Sequence, residues 1–120
     1  MILKQTAFYN FFFYDNYVIV EANEGIVLNN EIVAETLKVM FDHYKGNHFT
    51  VISHRKNNYT VNVDVYTVKQ MKKLRALAIV SSHSTVKEKA LLEQLAFSQP
   101  FAFFEDLEDA RGWAESVVIF

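Results

Sequence analysis

The chain has 120 residues, 51% of them apolar, with 12 Lys and Arg set against 14 Asp and Glu. That length supports one domain, residues 1–120, with a single core, and the near-balance of charge excludes both a disordered tail and a nucleic-acid scaffold. Cysteine is absent, which excludes a disulfide framework, a thiolate zinc site and a cysteine nucleophile and agrees with a reducing, cytoplasmic setting. The longest apolar runs, Phe11 to Tyr14 and Ala76 to Val80, fall far short of the roughly 20 residues that span a bilayer, so no membrane span is expected and the chain reads as soluble.

From Thr6 to Ala22 aromatic and β-branched residues dominate, interrupted at Asp15-Asn16. Both of those residues tolerate positive φ, which predicts two antiparallel strands joined by a two-residue turn. The first strand, Phe8 to Tyr14, is apolar on both faces and is expected to be covered on both. If Phe11 and Phe13 line an open edge or face instead, a homodimer follows. Beyond the Glu24-Gly25 turn, Asn29-Asn30 caps a helix in which Ile32, Val33, Thr36, Leu37, Met40, Phe41 and Tyr44 recur at helical spacing up to Lys45-Gly46.

His48 to His54 suits a short strand, and Arg55-Lys56-Asn57-Asn58 a polar loop. With Asp64 as its cap, Val65, Val68, Met71 and Leu74 or Leu77 predict a second amphipathic helix, with Lys69, Lys72 and Lys73 toward solvent. Ala76 to Val80 is unbroken hydrophobicity, as in a central strand of a parallel sheet. The hydroxyl-rich turn Ser81-Ser82-His83-Ser84 precedes Thr85 and Glu88, a capping box for a third helix packed through Ala90, Leu91, Leu95 and Ala96. Pro100 opens the apolar run Phe101 to Phe104, and Asp106 caps a last helix with Leu107, Ala110, Trp113 and Val117 as its stripe. The acidic residues Glu105, Asp106, Glu108 and Asp109 are explained by the dipole of that helix. The order β-β-α-β-α-β-α-β-α defines an α/β domain.

This order, with the closing run Pro100-Phe101-Ala102-Phe103-Phe104-Glu105-Asp106-Leu107-Glu108-Asp109-Ala110-Arg111-Gly112-Trp113, resembles the SpoIIAA-like proteins, a branch of the STAS (sulfate transporter and anti-anti-sigma) superfamily. The resemblance implies a mixed four- to five-stranded sheet with helices mainly on one face, and a bacterial regulatory module with no catalytic constellation and no cofactor. In anti-anti-sigma factors a serine at the start of the second helix is phosphorylated by a partner kinase that is also the anti-sigma factor. Here the corresponding segment reads Thr60-Val61-Asn62-Val63-Asp64-Val65, with neither that serine nor the usual glycine, so the usual phosphoswitch is missing and Thr60 or Thr67 would have to stand in. The resemblance assigns partner contacts to Asn58, Thr60, Asn62, Asp64 and Thr67. Kinship of this branch with CRAL-TRIO lipid-transfer domains implies a second function, an apolar or lipid-like ligand bound between sheet and helices near Phe12, Phe49, Val65 and Met71.

His54 and His83 fall at the carboxyl ends of parallel strands, the edge where open α/β sheets hold ligands, and Asp64 lies on a neighbouring loop. Those residue types suit a metal site or a general-base pair if they converge, but neither spacing is a metal signature. His43 and His48 flank the Gly46 turn and read as solvated. The sequence thus favours a non-enzymatic interaction module for a kinase-like or anti-sigma-like regulatory protein. The apolar-ligand binder is the alternative.

Overall fold

A computed structural model describes residues 1–56 and 61–117. Six strands, β1 (Ile2–Gln5), β2 (Tyr9–Phe13), β3 (Tyr17–Ala22), β4 (Thr50–His54), β5 (Leu77–Val80) and β6 (Phe101–Phe104), form one sheet in chain order. β1, β2 and β3 pair antiparallel, whereas β3 to β6 pair parallel. The α/β class and the mixed sheet agree with expectation; the strand count is higher than the expected four or five. The additional strand is β1, whose four residues are exposed. Its residues lack the alternation or β-branched run that marks a strand, and it forms by completing the backbone ladder of β2.

The parallel crossovers all step the same way along the sheet, and crossovers of one hand stepping one way deposit their helices on one face. α1 (Asn30–Tyr44), α2 (Lys69–Lys73) and α3 (Ser84–Ala96) pack there, closing a core of Phe11, Val18, Val20, Val51 and Ile79 with Leu37, Met40 and Ala90. α4 (Leu107–Ser116) follows the last strand and is free of that rule. It covers the other face, where Ala110 and Ala114, one turn apart, let the helix lie close on Ile52, Ala78 and Val80.

Local chemistry accounts for the helix ends. Asn29 Oδ1 accepts from the Ile32 N–H at 2.8 Å, and Lys45 and Gly46 carry α1 out at φ 50° and 89°. Asp106 Oδ1 caps α4 by accepting from the Glu108 N–H. The Asp15-Asn16 turn forms as expected, with the Tyr14 N–H donating to the Tyr17 carbonyl at 2.9 Å, yet neither turn residue adopts positive φ.

Two expectations are corrected. The continuous second helix is instead a 3-10 helix (Val63–Thr67) and the short α2, separated by Val68 at ψ 134°, and the cap is Asn62 rather than Asp64. Val61, Val63, Val65, Thr67 and Val68 crowd this segment with β-branched side chains, which disfavour a continuous α-helix. α3 starts at Ser84 without a side-chain cap, so the Thr85 box does not form, and it buries Val86, Ala90 and Glu93 in place of the leucines. Phe11 and Phe13 lie in the core at 0% and 2% exposure, as expected of a covered strand, so the conditional open edge is not theirs.

Candidate functional site

Beyond the end of β4 the alternation of the strand divides its polar residues between the two faces. Ser53 and Arg55 point to the face of α1 and α3, and His54 to the face of α4; the Arg55 N–H extends the ladder to the Val80 carbonyl at 2.8 Å. Arg55 Nη1 and Nη2 donate to Glu93 Oε2 and Oε1 of α3 at 2.5 and 2.6 Å, a two-pronged pair. The Tyr66 hydroxyl of the 3-10 helix donates to Glu93 Oε1 at 2.6 Å, and Arg55 Nε lies 3.3 Å from Ser53 Oγ. Burial and the charge of Glu93 push the Tyr66 hydroxyl well above its usual range of ionisation.

This cluster is one wall of a cavity of about 60 Å³ whose other walls include Val33, Leu37, Val65, Met71 and Leu77. Val65 and Met71 are two of the expected lining residues. Phe12 is on the α4 face and Phe49 stacks on Tyr44 at 4.4 Å, so neither lines it. A dry cavity of roughly 150 Å³ admits benzene, so this one takes a few waters or the end of a slender molecule unless its walls move. Arg55 and Glu93 balance each other's charge, and an entering group would meet a neutral polar end with an apolar body behind it.

On the α4 face, His54 Nδ1 lies 3.4 Å from Glu21 Oε2, and Lys56 Nζ is 3.0 Å from the same oxygen. The Nδ1 atom is buried without a hydrogen bond of good geometry. Burial lowers the His54 pKa, an effect that Glu21 partly opposes.

The other sequence candidates stand apart from it. His83 is exposed at the N-cap of α3, and Asp64 is exposed in the 3-10 helix on the opposite face of the sheet from His54. Among the described residues, no group of three His, Asp or Glu side chains is placed to hold a metal ion. Asn62, Asp64 and Thr67 are brought together: Asn62 Oδ1 accepts from the Asp64 N–H at 2.9 Å, and Thr67 Oγ1 donates to the Asp64 carbonyl at 2.7 Å. Asn58 and Thr60 lie outside the described residues. His43 is half-buried, not solvated as expected, with its ring stacked on Phe13 at 3.9 Å.

Sequence reasoning missed the Arg55–Glu93–Tyr66 cluster. Its signal is the spacing Val86, Ala90, Glu93, Phe97, a helical stripe with one charge in it, which competes with the more hydrophobic Leu91 and Leu95. The outcome is a helix that buries a glutamate at 1% exposure and turns Leu91, Leu92 and Leu95 outward at 57%, 59% and 86%. Among the described residues no helix is long and apolar enough to cross a membrane. No family model matches the chain, and comparison with curated proteins and with solved structures finds no match.

Proposed function

We propose that this protein is a non-enzymatic regulatory module of the cytoplasm that docks a kinase-like or anti-sigma-like protein, in the manner of STAS-type anti-anti-sigma factors but without their serine switch. The observation that carries this reading is the outward leucine face of α3, since an exposed apolar helix face is a common docking surface. The Tyr66–Glu93 hydrogen bond fastens α3 to the 3-10 helix. To the leucines the proposed docking surface adds the exposed Asn62, Asp64 and Thr67 of the 3-10 segment, the partner contacts that the family resemblance implies. The test is recovery of bound proteins from host lysate by the wild type, by Leu91→Lys/Leu95→Lys and by Asp64→Lys, each checked for an unchanged melting temperature. Loss of the same kinase-like or sigma-related protein from both variants supports the reading. Equal recovery by all three abandons it.

A second reading, a binder of a small apolar molecule, is favoured by the cavity walled by Val65 and Met71. Native mass spectrometry of the purified protein tests it, through an adduct that disappears when Met71→Trp fills the space.

A further inference from the structure

The row of side chains that crosses the α4 face of the sheet runs Ala102, Ala78, Ile52, Ile19, Phe12, Leu3, one residue per strand in register. It stops at Leu3, which is 51% exposed on the outer strand. The opposite outer strand, β6, is half-buried, and both α3 and α4 pack against it. β1 has the reverse character: all four of its residues are exposed, and Met1 and Ile2 beside Leu3 are 69% and 60% exposed. Of the usual protections of a bare edge, β1 has its short length and Lys4, and it lacks a proline and a bulge. The one proline of the chain is Pro100, the four β1–β2 pairs run without a bulge, and Lys4 is the one charged side chain in the strand.

The hydrogen-bond phase fixes what faces outward. The Thr6 N–H donates to the Tyr9 carbonyl at 2.9 Å. Bonded pairs alternate in an antiparallel ladder, so Lys4–Phe11 and Ile2–Phe13 are the next ones. The N–H and C=O groups of Leu3 and Gln5 therefore point away from β2, toward the open edge.

We propose that this edge is a self-association site, at which β1 of a second copy pairs antiparallel, centred on Leu3 opposite Leu3, to make one continuous twelve-strand sheet. Three features of the strand converge on that register. A two-fold axis normal to the sheet keeps like faces together, so a residue meets one of its own parity, and Leu3 and Lys4 are the centres that keep most of the four-residue strand paired. Centring on Lys4 sets two ammonium groups opposite each other, which is destabilising. Centring on Leu3 sets Lys4 against the aliphatic Ile2 and Gln5 against Met1, pairs the outward backbone groups of Leu3 with their own copies, and joins the two apolar rows through Phe12, Leu3, Leu3 and Phe12. The inference does not depend on the function proposed for α3, and it moves the dimer edge from Phe11 and Phe13 to Leu3.

The full chain is tested by sedimentation equilibrium and cross-linking. The expected result is a species of twice the 13.9 kDa chain mass that dissociates on dilution. Leu3→Pro deletes an N–H that serves no bond within the chain and belongs to the kind of edge position where proline is tolerated, so it yields a folded monomer. In the cysteine-free background, Leu3→Cys places two thiols on residues about 5.5 Å apart at Cα, and a short thiol cross-linker joins them. Gln5→Cys, on the same face, places them roughly 14 Å apart along the strand and leaves them unlinked. A monomer at every concentration overturns the proposal and leaves the edge to an extended peptide of another protein. A dimer that survives Leu3→Pro, or that cross-links through Gln5→Cys in preference to Leu3→Cys, also overturns it.

Discussion

Arg55 and Glu93, 38 residues apart in the chain, meet as a two-pronged ion pair in which Glu93 is 1% exposed. The pair joins the end of β4 to the middle of α3 and, through Tyr66, to the 3-10 helix. Its geometry makes it strongly coupled: removing one partner leaves the other charge buried, whereas replacing both restores neutrality.

Glu93→Ala is therefore expected to cost about 3–5 kcal/mol, the usual range for breaking a buried pair. The double replacement Arg55→Met/Glu93→Leu is expected to cost less than Glu93→Ala alone. Urea unfolding of the single and double variants measures this, and additive losses would show that the two groups act independently.

Tyr66→Phe removes a neutral donor to a charged acceptor and keeps the ring packed against Phe97 at 6.0 Å. A hydrogen bond to a charged group is worth about 1.5–3 kcal/mol, so a loss within that range is expected. The same denaturation experiment reads it, and a neutral result would mean that Arg55 alone satisfies Glu93.

The strands that could be read in the sequence are those marked by an apolar run or by aromatic and β-branched residues, and the helix that could be read in full is α1, where the capping residue, the apolar spacing and the Gly46 exit agree. β1 was illegible because Ile2-Leu3-Lys4-Gln5 has no period and owes its conformation to β2. α3 was legible as a helix but not in its orientation: Leu91, Leu92 and Leu95 outweigh Val86 and Ala90 on any hydrophobic scale. The buried face is the one that sets Glu93 against the Arg55 guanidinium. A pairing between residues so far apart in the chain leaves no local trace, so the polar end of the cavity could not be found from the pattern that located Val65 and Met71.

That inversion has a measurable consequence within one residue type. Leu95 is 86% exposed and Leu37 is 3% exposed. Leu37→Ala is expected to cost about 2–5 kcal/mol through lost burial and the cavity left behind, and Leu95→Ala to stay within about 0.5 kcal/mol of wild type. A comparable loss at both positions would mean that the leucine face of α3 is covered.

Tyr44 ties α1 to the β2–β3 hairpin. Its hydroxyl lies 2.8 Å from the Tyr14 carbonyl and 2.6 Å from the Tyr17 carbonyl, and burial raises its pKa. Tyr44→Phe keeps the stacking on Phe49 and removes the donor, with an expected loss of about 1 kcal/mol, or roughly 4 °C in a domain of this size. Hydrogen exchange should show the loss concentrated in the hairpin amides. A uniform loss of protection would place the role of Tyr44 in the core as a whole.

His54 gives the fold a dependence on pH whose sign follows from its burial. The folded-state pKa lies below the ordinary 6.5, so between the two values the unfolded chain binds more protons than the folded one. The stability supplied by neutral His54 is fully present above pH 6.5 and declines as pH falls through that window. Glu21, which favours the protonated ring, and Lys56, which opposes it, both face the imidazole and set the width of the window. His54→Gln removes the titration. Its melting temperature is expected to change less than that of wild type between pH 7.5 and 5.5, measured in the same buffers by circular dichroism, and equal changes in the two proteins would assign the acid sensitivity to the carboxylates.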